Sequence, residues 1–426
     1  MTRLWWQLTR HQPDHRLTTA LSVLAFAVAT GALLTVLGGL GAFEGRFSAA
    51  PSDHLGSYVL LAQTATVILA VPALTLGAAA ARLSMARRNE RMAALRLAGA
   101  TNAQVAQLTL LDTLAQATAG ALGGVLLYLL ALPFVAMITF QGRTFAWSEL
   151  WVGPGTLAGT ALAVLVLAAG SALLSLVAVT TSPLGVTNRV TPRRLSVLRV
   201  VLAVVALLAW TAVSQQPSIT AILVVLGICF ATLGVVAPFV LGVVGRLTAR
   251  SARSVETLLA ARRLVDDPRG AWRTVAGVSL ATFVAGLMSV APGIGPEDEL
   301  AVDIATGSVL TLVIAAVLAA VSAGVTQASR AVDQQPVHDR LQMAGTDLVV
   351  LRRARLRETL LPLLTSVGLA GGAAVLMVLP FGPELLVSSW AGVATFAGGV
   401  VLAVGLVLLA VAATQPLVRP LARDLG

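Results

Sequence analysis

Ten apolar stretches, separated by short arginine-bearing segments, limit what this chain can fold into more than any other feature. A membrane-spanning helix needs about 20 predominantly apolar residues, because each adds about 1.5 Å across a hydrocarbon core about 30 Å thick. The stretches run 17–41, 58–81, 105–138, 155–179, 195–213, 219–244, 271–291, 304–325, 360–379 and 390–411. They predict an all-α, polytopic integral membrane protein with about ten transmembrane helices. The first stretch is too long for a removable leader and reads as a retained anchor. Composition closes the soluble alternative: 57% of residues are hydrophobic and 11% charged, whereas a soluble domain carries about a quarter charged residues.

The charges test the count and the orientation independently, because arginine accumulates in cytoplasmic loops. All 29 basic residues are arginine, and with a cytoplasmic N-terminus 27 of them fall in the cytoplasmic segments; only Arg46 and Arg143 fall outside. Both termini are therefore expected in the cytoplasm, in a cell (inner) membrane. Glu297, Asp298, Glu299 and Asp303 crowd one outer loop. A net charge of +10 distributed this way points to acidic lipid surfaces and not to nucleic acid. Trp147, Trp151, Trp210 and Trp390 fall at outer span boundaries and Trp5, Trp6 and Trp272 at inner ones, as an interfacial belt would have them. Pro72, Pro133, Pro238 and Pro362 lie within or at the edges of spans, where neighbouring helices can satisfy the freed carbonyls.

The absence of lysine excludes a P-loop, which needs a lysine on the phosphates, and Schiff-base catalysis. Cys229 is the single cysteine, so no intrachain disulfide can form and core packing accounts for it. His11, His15, His54 and His338 lack ligand spacing. No catalytic residue, metal site or cofactor site is expected on this chain.

An internal repeat organises the rest. Leu95-Arg-Leu-Ala-Gly-Ala-Thr101 returns 246 residues later as Leu341-Gln-Met-Ala-Gly-Thr-Asp347. At the same offset Leu110-Leu-Asp-Thr-Leu114 matches Leu356-Arg-Glu-Thr-Leu360, setting Asp112 against Glu358. Gly120 and Gly124 make a GxxxG step, and Gly368 and Gly372 make another, as helix-packing positions. The first unit is spans one to four (residues 1–181), the connector spans five and six (182–250), and the second unit spans seven to ten (251–426). Six spans separate the two starts, so the units should be parallel and related by an axis along the membrane normal. Residues 82–101 place Arg82, Arg87, Arg88, Arg91 and Arg96 among Met85, Met92, Leu95 and Leu97. That is the pattern of a short amphipathic surface helix, with Gly99 positioned to end it. In the second copy Pro336 limits the helix to about 337–344. Such a surface could bind acidic lipid or dock a protein. Asp112 and Glu358 sit near the cytoplasmic ends of their spans, where a carboxylate is costly unless paired or wet; pairing with an arginine and a role in transmission are both open.

The stretch Arg87-Arg-Asn-Glu-Arg-Met-Ala-Ala-Leu-Arg-Leu-Ala-Gly-Ala-Thr101 resembles the cytoplasmic signature of FtsX-like ABC transporter permeases. Asp112 followed by Gly120 and Gly124 is similar to the same family's third span. Ten helices with two such units look like the fused permeases of the bacitracin-resistance type. The resemblance implies a permease without ATPase activity of its own, paired with separate cytoplasmic ABC ATPase subunits, two in number, that carry ATP and Mg²⁺. It implies that Arg87, Arg88, Glu90, Arg91, Leu95, Arg96 and Gly99 form a first coupling contact, and Arg340, Leu341, Gly345 and Asp347 a second. The chain departs from the family in its short outer loops, about 42–56 and 292–302, where relatives carry a large extracellular domain. It departs again at Gln342, which stands where the first copy has Arg96.

The leading expectation is export or extraction of a hydrophobic compound (lipid, peptide or antibiotic) driven by partner ATPases. A second is a non-transporting FtsX-like membrane protein that regulates a cell-wall hydrolase or sensor kinase; the missing outer domain weighs against it. An ion-coupled secondary transporter would place ionisable groups at mid-membrane, and the span centres are nearly free of them.

Overall fold

In a bilayer every backbone amide must bond within its own segment, so apolar runs become helices. The computed structural model describes residues 16–86, 101–181, 201, 205, 208, 219–289, 299–333, 348–379 and 390–413. In chain order the elements are α1 (Arg16–Ala49), α2 (Asp53–Ala86), α3 (Asn102–Ala136), β1 (Thr139–Phe140), β2 (Arg143–Thr144), α4 (Trp147–Leu150) and α5 (Gly153–Thr181). They continue as α6 (Ile219–Ser251), α7 (Val255–Asp266), α8 (Pro268–Met288), α9 (Glu299–Asp333), α10 (Leu348–Val378) and α11 (Trp390–Ala413). Among the described residues eight helices are long and apolar enough to cross a membrane. The chain is an all-α, multi-pass membrane protein.

Two of the ten expected spans are not among those eight. The fifth lies outside the described residues except at 201, 205 and 208. The seventh falls on α8, a helix whose Trp272, Val275, Val278, Ala281 and Phe283 are buried in protein. Trp272, expected at a lipid interface, is thus a core residue. The helices also outrun their apolar runs. At 34 residues, α1 is about 51 Å long at 1.5 Å per residue, so its last turns project beyond a hydrocarbon core. Helix α2 continues through Arg82 to Ala86, where a separate surface helix was expected to begin. The prolines at 72, 133, 238 and 362 all lie inside continuous helices.

By its internal contacts the chain divides into two compact units, Met1–Asn188 with Ala328–Asp333, and Arg189–Gln327 with Gln334–Gly426. In the first, α1 packs against both α2 and α3. The α1–α3 seam is built on the first GxxxG step: a methyl added at Gly120 would lie 2.3 Å from Phe26 Cβ, and one at Gly124 2.5 Å from Thr30 Cβ. Only hydrogen at these positions allows the backbones to approach so closely. Beyond the seam, Leu34, Tyr128, Leu132, Phe140, Phe145 and Leu150 form one buried cluster. The Tyr128 hydroxyl donates to the Leu150 carbonyl at 2.6 Å and accepts from the Val152 amide at 3.2 Å, tying the chain between α4 and α5 to α3.

In the second unit α8 packs against α10, as α1 does against α3. Ser279 Oγ donates to the Ser366 carbonyl at 3.0 Å across that contact. The close approach, however, is made from the other partner. A methyl at Gly286 on α8 would meet Ala374 Cβ at 2.9 Å, whereas Gly368 and Gly372 on α10 have nothing within 4 Å. The second GxxxG step is therefore not a packing seam among the described residues, because the crossing it would serve uses a glycine on the facing helix. Helix α6, expected as connector, packs against α7, α8 and α10.

Candidate functional site

The coupling residues expected from sequence, Arg87, Arg88, Glu90, Arg91, Leu95, Arg96 and Gly99 with Arg340, Leu341, Gly345 and Asp347, lie outside the described residues. Their flanks are described. Helix α3 starts at Asn102 behind a capping box: Thr101 Oγ1 accepts from the Gln104 amide and Gln104 Oε1 from the Thr101 amide. Its counterpart by the sequence repeat, α10, is described from Leu348 onward.

One turn or more into each of these helices sits the matched carboxylate. Asp112 accepts from its own-helix Gln116 Nε2 at 3.2 Å. Glu358 is buried and bonded to Arg263 Nη1 of α7 at 2.7 Å. The matched threonines that follow, Thr113 and Thr359, are both buried.

The partner of Glu358 belongs to an element the sequence reading did not separate from its arginine-rich loop. Helix α7 is capped by Ser254 at its start and Asp267 at its end, and buries Ala260, Ala261 and Leu264, one face of a short amphipathic helix. Asp267 also caps α8, accepting from the Gly270 amide at 2.8 Å. Two reciprocal ion pairs fasten α7 to α10: Arg263 to Glu358, and Glu256 to Arg357 at 3.2 Å. Arg357 Nη1 also donates to the hydroxyls of Ser254 and Thr257. The Ser254 hydroxyl, the Glu256 amide and the charges of Arg357 and Arg353 hold the Glu256 carboxyl below its usual range. Beside this clamp Arg355 is buried, and neither of its terminal nitrogens finds an acceptor among the described residues.

No protein-family model, curated protein or solved structure matches the chain.

A second cluster lies in the first unit, at the end of α1 remote from the capped start of α3. It joins the two arginines that broke the charge pattern. Arg46 is buried, and all five of its N–H donors are used. Nε and Nη2 donate to Glu149 Oε1 and Oε2 at 3.1 and 3.0 Å, Nη1 to the Phe140 carbonyl and Gln141 Oε1, and Nη2 to the Thr144 carbonyl. The guanidinium carbon also lies 4.3 Å from the Phe145 ring centre. Arg143 Nη2 reaches Glu149 Oε1 at 3.2 Å from the exposed side. The carbonyls are presented by a two-stranded hairpin, β1 to β2, whose turn residues Gln141 and Gly142 have φ of 58° and 67°, the left-handed pair that a two-residue hairpin demands. Phe43 packs against Phe140 and Phe145 at 5.5 and 5.4 Å and fixes the hairpin on α1. Sequence reasoning found Arg46 and Arg143 as exceptions only; the sole hint of the hairpin was Gln-Gly between two short β-prone pairs.

Proposed function

We propose that this chain is the membrane-spanning permease subunit of an ABC transporter, with ten transmembrane helices in two parallel units, both termini cytoplasmic, and ATP hydrolysis supplied by separate ATPase subunits. What supports it is the repeat itself: the family-like segments precede α3 and α10 in the sequence at one offset of 246 residues, and the matched Asp112 and Glu358 lie on those two helices. A duplicated segment fixed between the second and third helix of each unit is what a transporter driven by paired engines requires. Binding at both segments would bias a bundle with two arrangements, which is how a distant engine does mechanical work. The α7 clamp on Glu358 supports the same reading, since it gives the second unit a surface element bolted to its third helix by charge.

The cargo we assign is a hydrophobic compound, exported or extracted from the membrane, because exposed apolar helix faces suit such a molecule. The test is purification of the tagged full chain from its native membrane. A P-loop ATPase should accompany it and be lost when Arg96→Glu is combined with Gly99→Pro. Retention of the ATPase by that double variant refutes the docking assignment. Absence of any ATPase from the intact chain, with a hydrolase or kinase in its place, favours the signalling alternative.

A further inference from the structure

Beside the Arg46 cluster lies a cleft of about 540 Å³ between α1, the hairpin and the α4–α5 junction, within the range of about 300–1,000 Å³ typical of small-molecule sites. Its lining is polarised along α1. Along α1 it runs from Leu37 to Ala49; the apolar Leu37 and the acidic Glu44 stand about 10 Å apart along the axis at 1.5 Å per residue. Val152 lines the apolar wall and Arg143 the charged one.

Glycines shape the cleft, and they do so unequally. At Gly38 a methyl would meet the Leu150 carbonyl at 2.6 Å, so α4 closes against α1 there. One turn on, Gly41 and Gly45 both line the cleft and have nothing within 4 Å. The face of α1 is thus bare backbone over the turns where the neighbouring element moves away.

The charges say what fits. Arg46 and Arg143 are balanced by Glu149 and Glu44, which makes the lining neutral overall and unfavourable to a ligand of large net charge. Arg46 has no donor left. Arg143 is 62% exposed on its side chain and gives Glu149 a single bond, leaving most of its planar fork for an oxyanion, the geometry that suits phosphate. Glu44 is exposed and has no bonded partner among the described residues; it is free for an ammonium. Trp151 lines the cleft and is 47% exposed, and Trp147, at the start of α4, is 63% exposed. Such indoles sit at the depth of lipid headgroups.

We propose that this cleft binds one phospholipid with a zwitterionic phosphate–amine headgroup, its phosphate on Arg143, its amine on Glu44 and an acyl chain laid over Gly41 toward Leu37. The site does not depend on the permease reading, because it needs only a membrane around the first unit.

Native mass spectrometry of the detergent-purified full chain, titrated with phosphatidylethanolamine and phosphatidylglycerol, tests it. One phosphatidylethanolamine should bind in clear preference to phosphatidylglycerol. Glu44→Gln should lower that affinity about tenfold, the cost of one charge-assisted bond. Gly41→Leu fills the open space and should abolish binding while leaving the thermal midpoint at or above that of the parent. Should Gly41→Leu fail to fold, Glu44→Gln decides alone, since the Glu44 side chain is exposed and has no bonded partner among the described residues. Undiminished phosphatidylethanolamine binding in Glu44→Gln overturns the proposal, as does equal binding of the two lipids. Soluble phosphoethanolamine should compete poorly; competition as strong as the lipid's would overturn the assignment of the acyl chain.

Discussion

Glu149→Gln isolates the energetics of a buried, fully bonded charge. The substitution keeps the shape of the side chain and removes the counter-charge of Arg46, whose side chain is only 3% exposed. Breaking a buried ion pair from one side costs about 3–5 kcal/mol, because the remaining charge is left uncompensated. Two corrections pull the figure down. Arg46 keeps three uncharged acceptors, the Phe140 and Thr144 carbonyls and Gln141 Oε1, and Glu149 itself is 22% exposed. The expected loss is therefore at the lower end, about 3 kcal/mol. At roughly 2–4 °C per kcal/mol for a unit of this size, it should appear as a fall of about 6–12 °C in the thermal midpoint of the detergent-purified chain. Arg143→Gln serves as the internal control. Its pair is exposed, so its loss should cost under about 1 kcal/mol. Replacing both buried partners, Arg46→Met with Glu149→Leu, should recover much of the loss, since a buried pair is often no better than an apolar one of similar volume. Equal shifts for Glu149→Gln and Arg143→Gln would refute the claim that burial of Arg46 gives Glu149 its importance.

Two further outcomes separate the units. Gly120→Ala forces a methyl to 2.3 Å from Phe26 Cβ and should destabilise by about 1–3 kcal/mol. Gly368→Ala enters open space and should be neutral or gain up to about 1 kcal/mol of helix propensity; thermal midpoints of the two variants measured side by side check the contrast. The Glu256 clamp predicts a pH dependence. Its carboxyl is held below the ordinary range, so its contribution is complete above the unfolded value of about 4.3 and is lost as pH falls through the depressed folded value. Hydrogen exchange of α7 should accordingly stay slow from neutral pH down to the ordinary carboxylate range and rise only below it; loss of protection near neutrality would show that another group holds the helix.

The parts of this fold that were legible in the sequence are those set by composition over long windows. An uninterrupted apolar run has one solution in a bilayer, so α1, α2, α3, α9, α10 and α11 could be placed before their contacts were known. The ends of the helices could not, because hydropathy marks where the membrane stops and not where hydrogen bonding does; hence the extra turns of α1 that carry Arg46. Gly120 and Gly124 were legible by spacing, yet the same spacing at Gly368 and Gly372 produces no seam among the described residues. Spacing reports that a face is small and says nothing of whether a partner comes to it. Helix α7 was hidden for the opposite reason. Its arginines made residues 251–270 look like loop charge, whereas Ala260, Ala261 and Leu264 form a buried stripe that only its packing reveals.

The two exceptions to the charge asymmetry follow a different logic. Arg46 has all five donors bonded and a carboxylate in bidentate contact across 103 residues of sequence, so it acts as a structural bolt with little charge left to exert. Arg143 shares the same carboxylate. With Glu44 counted, the two arginines and two glutamates of this cluster sum to no net formal charge. Glu149, an acidic residue that hydropathy and charge rules both treat as incidental, is thus the shared partner of both arginines. Glu149→Lys should accordingly disturb membrane insertion of the first unit itself, which Glu149→Gln, leaving one buried cation and adding none, should not.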